Sequence, residues 1–113
     1  MKSKILALSK NEEFKNLLKQ NKISNKYVTF FFGYLAEKDN KKLNISFVTK
    51  KKIGNAVKRN KIKRRLRNIL NEAVKKISIK FKYSYLVIAK STMLNNEYKI
   101  IKETLFQDLE KIK

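Results

Sequence analysis

Residues 43–49 alternate. Leu43, Ile45 and Phe47 fall on one side of an extended backbone, and Asn44, Ser46 and Val48 on the other. That period of two predicts a strand. Upstream, residues 27–36 (YVTFFFGYLA) are rich in β-branched and aromatic side chains, which suit a pleated surface. Alternation there sets Tyr27, Thr29 and Phe31 on one face and Val28, Phe30 and Phe32 on the other. Both faces are apolar or aromatic, so both require cover. Residues 37–42 form a polar turn, and the two strands around it are expected to pair as a hairpin. Residues 82–90 (KYSYLVIAK) predict a further, buried strand.

Helical periods separate these strands. Ser9 and Glu12 have the spacing of a capping box, which predicts a short helix over residues 10–20 with Phe14, Leu17 and Leu18 on one side. Gly54-Asn55 predicts a turn with Asn55 as N-cap. The helix that follows extends to about residue 79, with Ile62, Leu66, Ile69, Ala73 and Ile77 in one stripe. Asn95 or Asn96 caps a last helix with Tyr98, Ile101, Leu105, Leu109 and Ile112 inward. The order is α-β-β-α-β-α with room for one more short strand, an α+β arrangement of helices on a small sheet.

Composition supports one folded unit. The chain has 113 residues, of which 42% are hydrophobic and 11% aromatic, enough for a core in a single domain spanning residues 1–113. Charge changes the picture more. There are 29 basic and 9 acidic side chains, a formal charge of +20. Self-repulsion on that scale points to a polyanionic partner. The absence of Cys removes disulfides, zinc–thiolate sites and a thiol nucleophile, and the absence of His removes the usual proton shuttle near neutral pH. No apolar run approaches a membrane span, and the apolar stretch at residues 5–8 is too short for a signal peptide. The expectation is a soluble, cytoplasmic protein that does not engage a membrane.

The basic charge is concentrated. Residues 50–67 hold ten basic side chains, and no acidic residue lies between Asn40 and Asn71. An ordinary solvated helix mixes signs, since like charges four residues apart cost a few tenths of a kcal/mol. At about 100° per residue, Arg59, Asn60, Lys63, Arg64 and Arg67 gather on a flank beside the apolar stripe. Lys58, Lys61 and Arg65 lie further round. Each phosphate that such a flank neutralises adds salt-sensitive affinity, and the N–H groups after Gly54 also suit a phosphate. A helix-turn-helix DNA reader would need two short helices. A long basic helix between strands fits the backbone shape of a folded RNA instead. A small ribosomal protein shares that composition. The aromatic strand can serve the core, or it can form a groove with Phe14 and Leu18 that holds a single strand by stacking.

The segment KKIGNAVKRNKIKRRLR, residues 51–67, resembles the signature of the protein component of bacterial ribonuclease P. Lys51, Lys52, Gly54, Asn55, Ala56, Arg59, Asn60, Lys61, Lys63, Arg64 and Arg67 match it, with Lys61 in place of the family's usual Arg. Phe14 after an acidic pair and the LVIAK strand extend the likeness. The resemblance implies an α-β-β-β-α-β-α fold, a small and mostly antiparallel sheet with a left-handed βαβ crossover around the basic helix. It implies a subunit of an endoribonuclease holoenzyme that removes 5′ leaders from precursor tRNA. In that enzyme the RNA is the catalyst and uses Mg2+, the protein holds no tight cofactor, and one protein serves each RNA. By the same resemblance, Lys51, Lys52, Asn55, Arg59, Asn60, Lys61, Lys63, Arg64 and Arg67 contact the RNA subunit. Phe14, Leu18, Phe30 and Lys90 line the cleft that receives the leader. The chain departs from the family at Asn44-Ile45-Ser46, where Arg-x-Gly is usual, and at Leu18, where an aromatic is frequent.

Overall fold

The computed structural model describes residues 5–8, 10–35, 38 and 41–112. Five strands, β1 (Ile5–Leu6), β2 (Asn21–Ser24), β3 (Val28–Gly33), β4 (Leu43–Val48) and β5 (Ser84–Ala89), form one sheet in the order β1-β4-β5-β3-β2. The helices are α1 (Asn11–Leu18), α2 (Ala56–Lys76) and α3 (Tyr98–Lys111), with single 3-10 turns at Lys51–Ile53 and Ser91–Leu94.

The expected hairpin of β3 and β4 does not form. β5 lies between them, antiparallel to β3 and parallel to β4. The physical reason is burial: every β5 residue except Ile88 is buried, and a strand apolar on both faces is best satisfied at the sheet centre. β4 is closed on its other side by a parallel pairing of Ile5 and Leu6 with Leu43 and Asn44. β2 pairs antiparallel with β3. The sheet is therefore mixed, with two parallel and two antiparallel ladders.

Alternation assigns the two faces as expected and adds which one is the main core. Val28, Phe30 and Phe32 of β3, Leu43 and Ile45 of β4, and Tyr85, Val87 and Ala89 of β5 pack against α2 and α3. The α2 stripe is Ile62, Leu66, Ile69, Leu70 and Ala73, all fully buried. Each buried Ile or Leu of the stripe stabilises by about 2 kcal/mol. α3 contributes Ile101, Leu105 and Leu109, and Ile112 just beyond its end is also buried. The opposite face carries a smaller cluster of Leu8, Leu17 and Leu86, with Phe14, Phe31, Val48 and Ile88 partly buried against it. α1 lies on this face, sealed down by Leu17.

Helix ends depart from expectation in detail. Ser9 lies outside the described residues. The α1 cap is Lys10, whose N–H donates to Glu13 Oε1 at 3.1 Å, so Glu13 rather than Glu12 reaches back. α2 stops at Lys76 with Ile77 as its C-cap. α3 is capped by Glu97, while Asn96 turns back to donate to the Thr92 carbonyl at 2.6 Å.

Candidate nucleic-acid interface

Asn55 caps α2 as its sequence position predicts, accepting at Oδ1 from the Lys58 N–H at 3.0 Å. The bend before it depends on Gly54, whose φ of 156° disfavours a side chain and whose added β-carbon would fall 2.8 Å from Lys58 Cδ. Lys51 and Lys52 occupy the 3-10 turn ahead of this bend, both exposed. Along α2, Asn60, Lys61, Arg64 and Arg67 are exposed, and Arg59 and Lys63 are half-buried. Among the described residues, no basic side chain from Lys50 to Arg67 forms an ion pair within the protein. Arg59 Nε is buried with no hydrogen-bond acceptor in the protein, an uncommon condition for a charged donor. Arg65 behaves differently. Its Nη1 donates to the carbonyls of Met93 at 3.1 Å and Asn96 at 3.3 Å, so it joins α2 to the turn after β5.

The face under α1 supplies the second element. α1 covers Leu86 but leaves a row across the sheet open. Val48 pairs in register with Ile88, Ile88 with Thr29, and Thr29 with Ser24. Val48, Ile88 and Thr29 are half-buried. At one side, a concavity is lined by Ile5, Phe14, Ser46 and Val48, with Lys63 and Arg67 of α2 on its rim. At the other, Thr29, Ile88 and Lys90 line a concavity with Lys50 and Lys52. The apolar row thus lies between two cationic rims, and Lys63 and Arg67 belong both to the basic helix and to the groove.

Lys90 is held in place. Its Nζ donates to the Asn25 carbonyl at 2.6 Å and to Ser24 Oγ at 3.0 Å, which leaves the third ammonium N–H for a ligand. Asn25 is fixed in turn. Its Oδ1 accepts from the Tyr27 and Val28 N–H groups at 2.8 and 2.9 Å, and its Nδ2 donates to buried Asp108 at 2.7 Å. Neither Asn25 nor Asp108 stood out in the sequence, because both act through contacts between distant segments.

Phe14 and Lys90 each line one of the two concavities, and Leu18 is exposed one turn beyond Phe14 on α1. Phe30 does not. It is fully buried in the main core, because its position in the alternation faces α2 and α3. Its neighbour Phe31 is the β3 aromatic on the α1 side. The period of two separated these residues, but only the placement of α1 shows which side is the groove. Lys51, Asn55, Asn60, Lys61 and Arg64 line neither concavity and form the outer basic surface of α2 and its approach.

Ser46 fills the place of the usual glycine with a contact of its own. Its Oγ accepts from the Leu8 N–H at 2.8 Å, joining the segment before α1 to β4. Among the described residues no cluster of three carboxylate, His or Cys side chains could hold a metal, and no helix is long and apolar enough to cross a membrane.

The family model described as Ribonuclease P matches residues 3–113. The ribonuclease P protein component of Carboxydothermus hydrogenoformans is 36% identical over 110 residues, covering 94% of this chain and 90% of that protein. That of Mesoplasma florum is 32% identical over 98 residues, covering 87% and 86%. Among solved structures, the Staphylococcus aureus RNase P protein is similar with a TM-score of 0.76 at 28% identity, over 94% of this chain and 93% of that one. The Thermotoga maritima RNase P protein shares the fold with a TM-score of 0.80 at 21% identity, over 96% and 98%.

Proposed function

The chain belongs to the family of bacterial ribonuclease P protein components and is the protein subunit of that tRNA-processing endoribonuclease, and we propose that it holds the catalytic RNA on α2 and the 5′ leader of precursor tRNA in the groove beneath α1. Its partner is the RNase P RNA. The flank of Arg59, Asn60, Lys61, Lys63, Arg64 and Arg67, with Lys51, Lys52 and Asn55, meets the backbone of that RNA. The groove takes the leader as a single strand. Val48, Ile88, Thr29, Phe14 and Phe31 offer apolar and aromatic contact without reading sequence, and Lys90 offers a fixed ammonium to a leader phosphate.

The observation that carries this reading is the sharing of Lys63 and Arg67 between the basic helix and the groove. An RNA bound along α2 stands beside a strand lying in the groove. The protein thereby brings two polyanions together and neutralises both, which lowers the need for Mg2+. Bond cleavage belongs to the RNA with its Mg2+ ions, since this chain has neither His nor Cys for acid–base or nucleophilic work. One protein serves one RNA, in the cytoplasm.

The test mixes purified protein with bacterial RNase P RNA and a precursor tRNA at low magnesium. The expected result is faster 5′ cleavage and tighter precursor binding than with RNA alone. Absence of both effects would overturn the reading.

A further inference from the structure

Asp108 belongs to α3, on the sheet face opposite α1 and the groove, and is only 7% exposed. Its Oδ2 accepts from Asn25 Nδ2 at 2.7 Å. Its Oδ1 lies 3.5 Å from the Nζ of Lys111, whose side chain is exposed. A carboxylate costs more to bury than an apolar side chain of similar size. Leu105 and Leu109, beside it on α3, are apolar and buried, so packing alone does not call for a charge here. What the charge does is hold Asn25.

Asn25 connects the two faces of the sheet. It lies in the turn between Ser24, the end of β2, and Val28, the start of β3. Its amide reaches α3, while its carbonyl accepts from Lys90 Nζ at 2.6 Å. Its Oδ1 takes the Tyr27 and Val28 N–H groups at 2.8 and 2.9 Å, so the direction of that carbonyl is fixed from three sides. Ser24 Oγ accepts the second Lys90 hydrogen bond at 3.0 Å and lies 3.1 Å from Thr29 Oγ1, on the row that crosses the groove. A short chain of hydrogen bonds therefore runs from α3, through one turn, to the ammonium at the groove. The turn has another tie, since Thr92 Oγ1 donates to the Lys26 carbonyl at 2.7 Å. Loss of Asp108 would loosen Asn25 without freeing the whole turn.

A lysine stem is long and flexible, and ordering it on binding weakens affinity unless it is ordered beforehand. We propose that Asp108 is a positioning residue for precursor tRNA, acting through Asn25 to hold the Lys90 ammonium where a leader phosphate meets it. This role rests on the reading of the groove as the leader site. The sign of its effect separates it from plain charge. Removing a carboxylate from a chain of net charge +20 adds to its attraction for RNA. Electrostatics alone thus predicts that Asp108→Ala binds precursor and mature tRNA at least as tightly as wild type does. Positioning predicts weaker binding of the precursor only.

The experiment titrates precursor and mature tRNA into reconstituted holoenzyme, at a temperature where circular dichroism shows each variant folded. Lys90→Ala should weaken precursor binding about tenfold and change mature tRNA binding little. Asp108→Ala should weaken precursor binding about threefold to tenfold, the ordering cost of one long side chain. Asp108→Asn loses the charge but keeps an acceptor for Asn25, and should bind precursor as wild type does. In the Lys90→Ala background, Asp108→Ala should cause no further loss. Asp108→Leu fills the space without an acceptor, should match Asp108→Ala, and takes its place where the alanine variant does not fold. Undiminished precursor affinity in both variants, equal loss for precursor and mature tRNA, no rescue by Asp108→Asn, or a loss that adds to that of Lys90→Ala would overturn the proposal. Lys90→Ala separates the two levels. If it leaves precursor affinity unchanged, the groove reading fails at Lys90 and the proposal falls with it; if it weakens that affinity while Asp108→Ala and Asp108→Leu do not, only the positioning role fails.

Discussion

Arg65 Nη1 donates to the Met93 carbonyl at 3.1 Å, so one charge in the densest basic stretch of the chain serves the fold. The same nitrogen reaches the Asn96 carbonyl at 3.3 Å. Neighbouring residues on one helix therefore have opposite duties. Arg64 faces solvent, while Arg65 closes the turn between β5 and α3 onto α2.

Arg65→Ala should therefore destabilise the protein by about 1–2 kcal/mol, the cost of losing partly buried charged hydrogen bonds. Arg64→Ala should change stability by no more than about 0.5 kcal/mol. Urea unfolding of the two variants side by side checks this. Equal stabilities would mean that the Arg65 contacts contribute nothing.

The reverse ranking is expected for RNA. Arg59→Ala combined with Arg64→Ala should weaken binding to the RNase P RNA and make it less sensitive to salt. Each lost phosphate contact should reduce the slope of log affinity against log salt by about one. The melting temperature should hold, since neither residue belongs to the apolar stripe of Ile62, Leu66, Ile69 and Ala73. A double variant that unfolds would place these arginines on the wrong face.

This division shows how much was legible beforehand. The stripe and flank of α2 follow from a 3.6-residue period and were readable, as were the Asn55 cap and the two faces of β3. Strand order was not. Nothing local in residues 27–49 reveals that β5, which follows them in the chain, will insert between β3 and β4. That outcome reflects the burial demand of the most apolar strand across the whole sheet. The same limit hid Arg65, Asn25 and Asp108, whose partners lie 28 to 83 residues away. The resemblance puts Phe30 in the cleft, and the period of two cannot correct it, because it names two faces without saying which one α1 will occupy. The motif of α2 was legible because its chemistry, charge beside an apolar stripe, is local.

Asn25 is the centre of one such distant arrangement. Asn25→Ala removes the acceptor of the Tyr27 and Val28 N–H groups and leaves Asp108, only 7% exposed, without the amide donor 2.7 Å away. A loss of about 2–3 kcal/mol is expected. It should be accompanied by weaker precursor binding in the holoenzyme, since the turn that positions Lys90 loosens. Titration of precursor at a temperature where the variant is still folded separates the effects. Unchanged affinity there would show that Lys90 needs no such support.

Alkaline pH tests the core. Burial pushes the Tyr85 phenol well above its usual range, and the Tyr83 phenol adds to the rise. The folded state thus prefers the protonated phenol. Its contribution is complete below about pH 10, the value of an unfolded tyrosine, and is lost as pH rises beyond that. Thermal melts should show wild type losing stability above pH 10 more steeply than Tyr85→Phe. At neutral pH the variant should be weaker by about 1 kcal/mol, for the 2.8 Å bond to Lys80. Parallel alkaline profiles would show that Tyr85 is not the group responsible.

The adjacent phenylalanines of β3 give the sharpest contrast. Phe30 is fully buried between the sheet and the α2–α3 layer, so Phe30→Ala should cost about 3–5 kcal/mol. That is a large share of the total stability of a small domain, and its RNA phenotype should follow from unfolding. Phe31 lies on the opposite face with Phe14, partly buried. Phe31→Ala should cost less and leave a folded protein that still assembles with the RNase P RNA. Its defect should appear as weaker binding of precursor tRNA with little change for mature tRNA, which has no leader to place in the groove. Holoenzyme affinities for the two tRNAs, measured with each variant after its fold is confirmed by circular dichroism, check the assignment. Equal loss for precursor and mature tRNA in Phe31→Ala would return Phe31 to a packing role, because only contact with the leader distinguishes the two substrates.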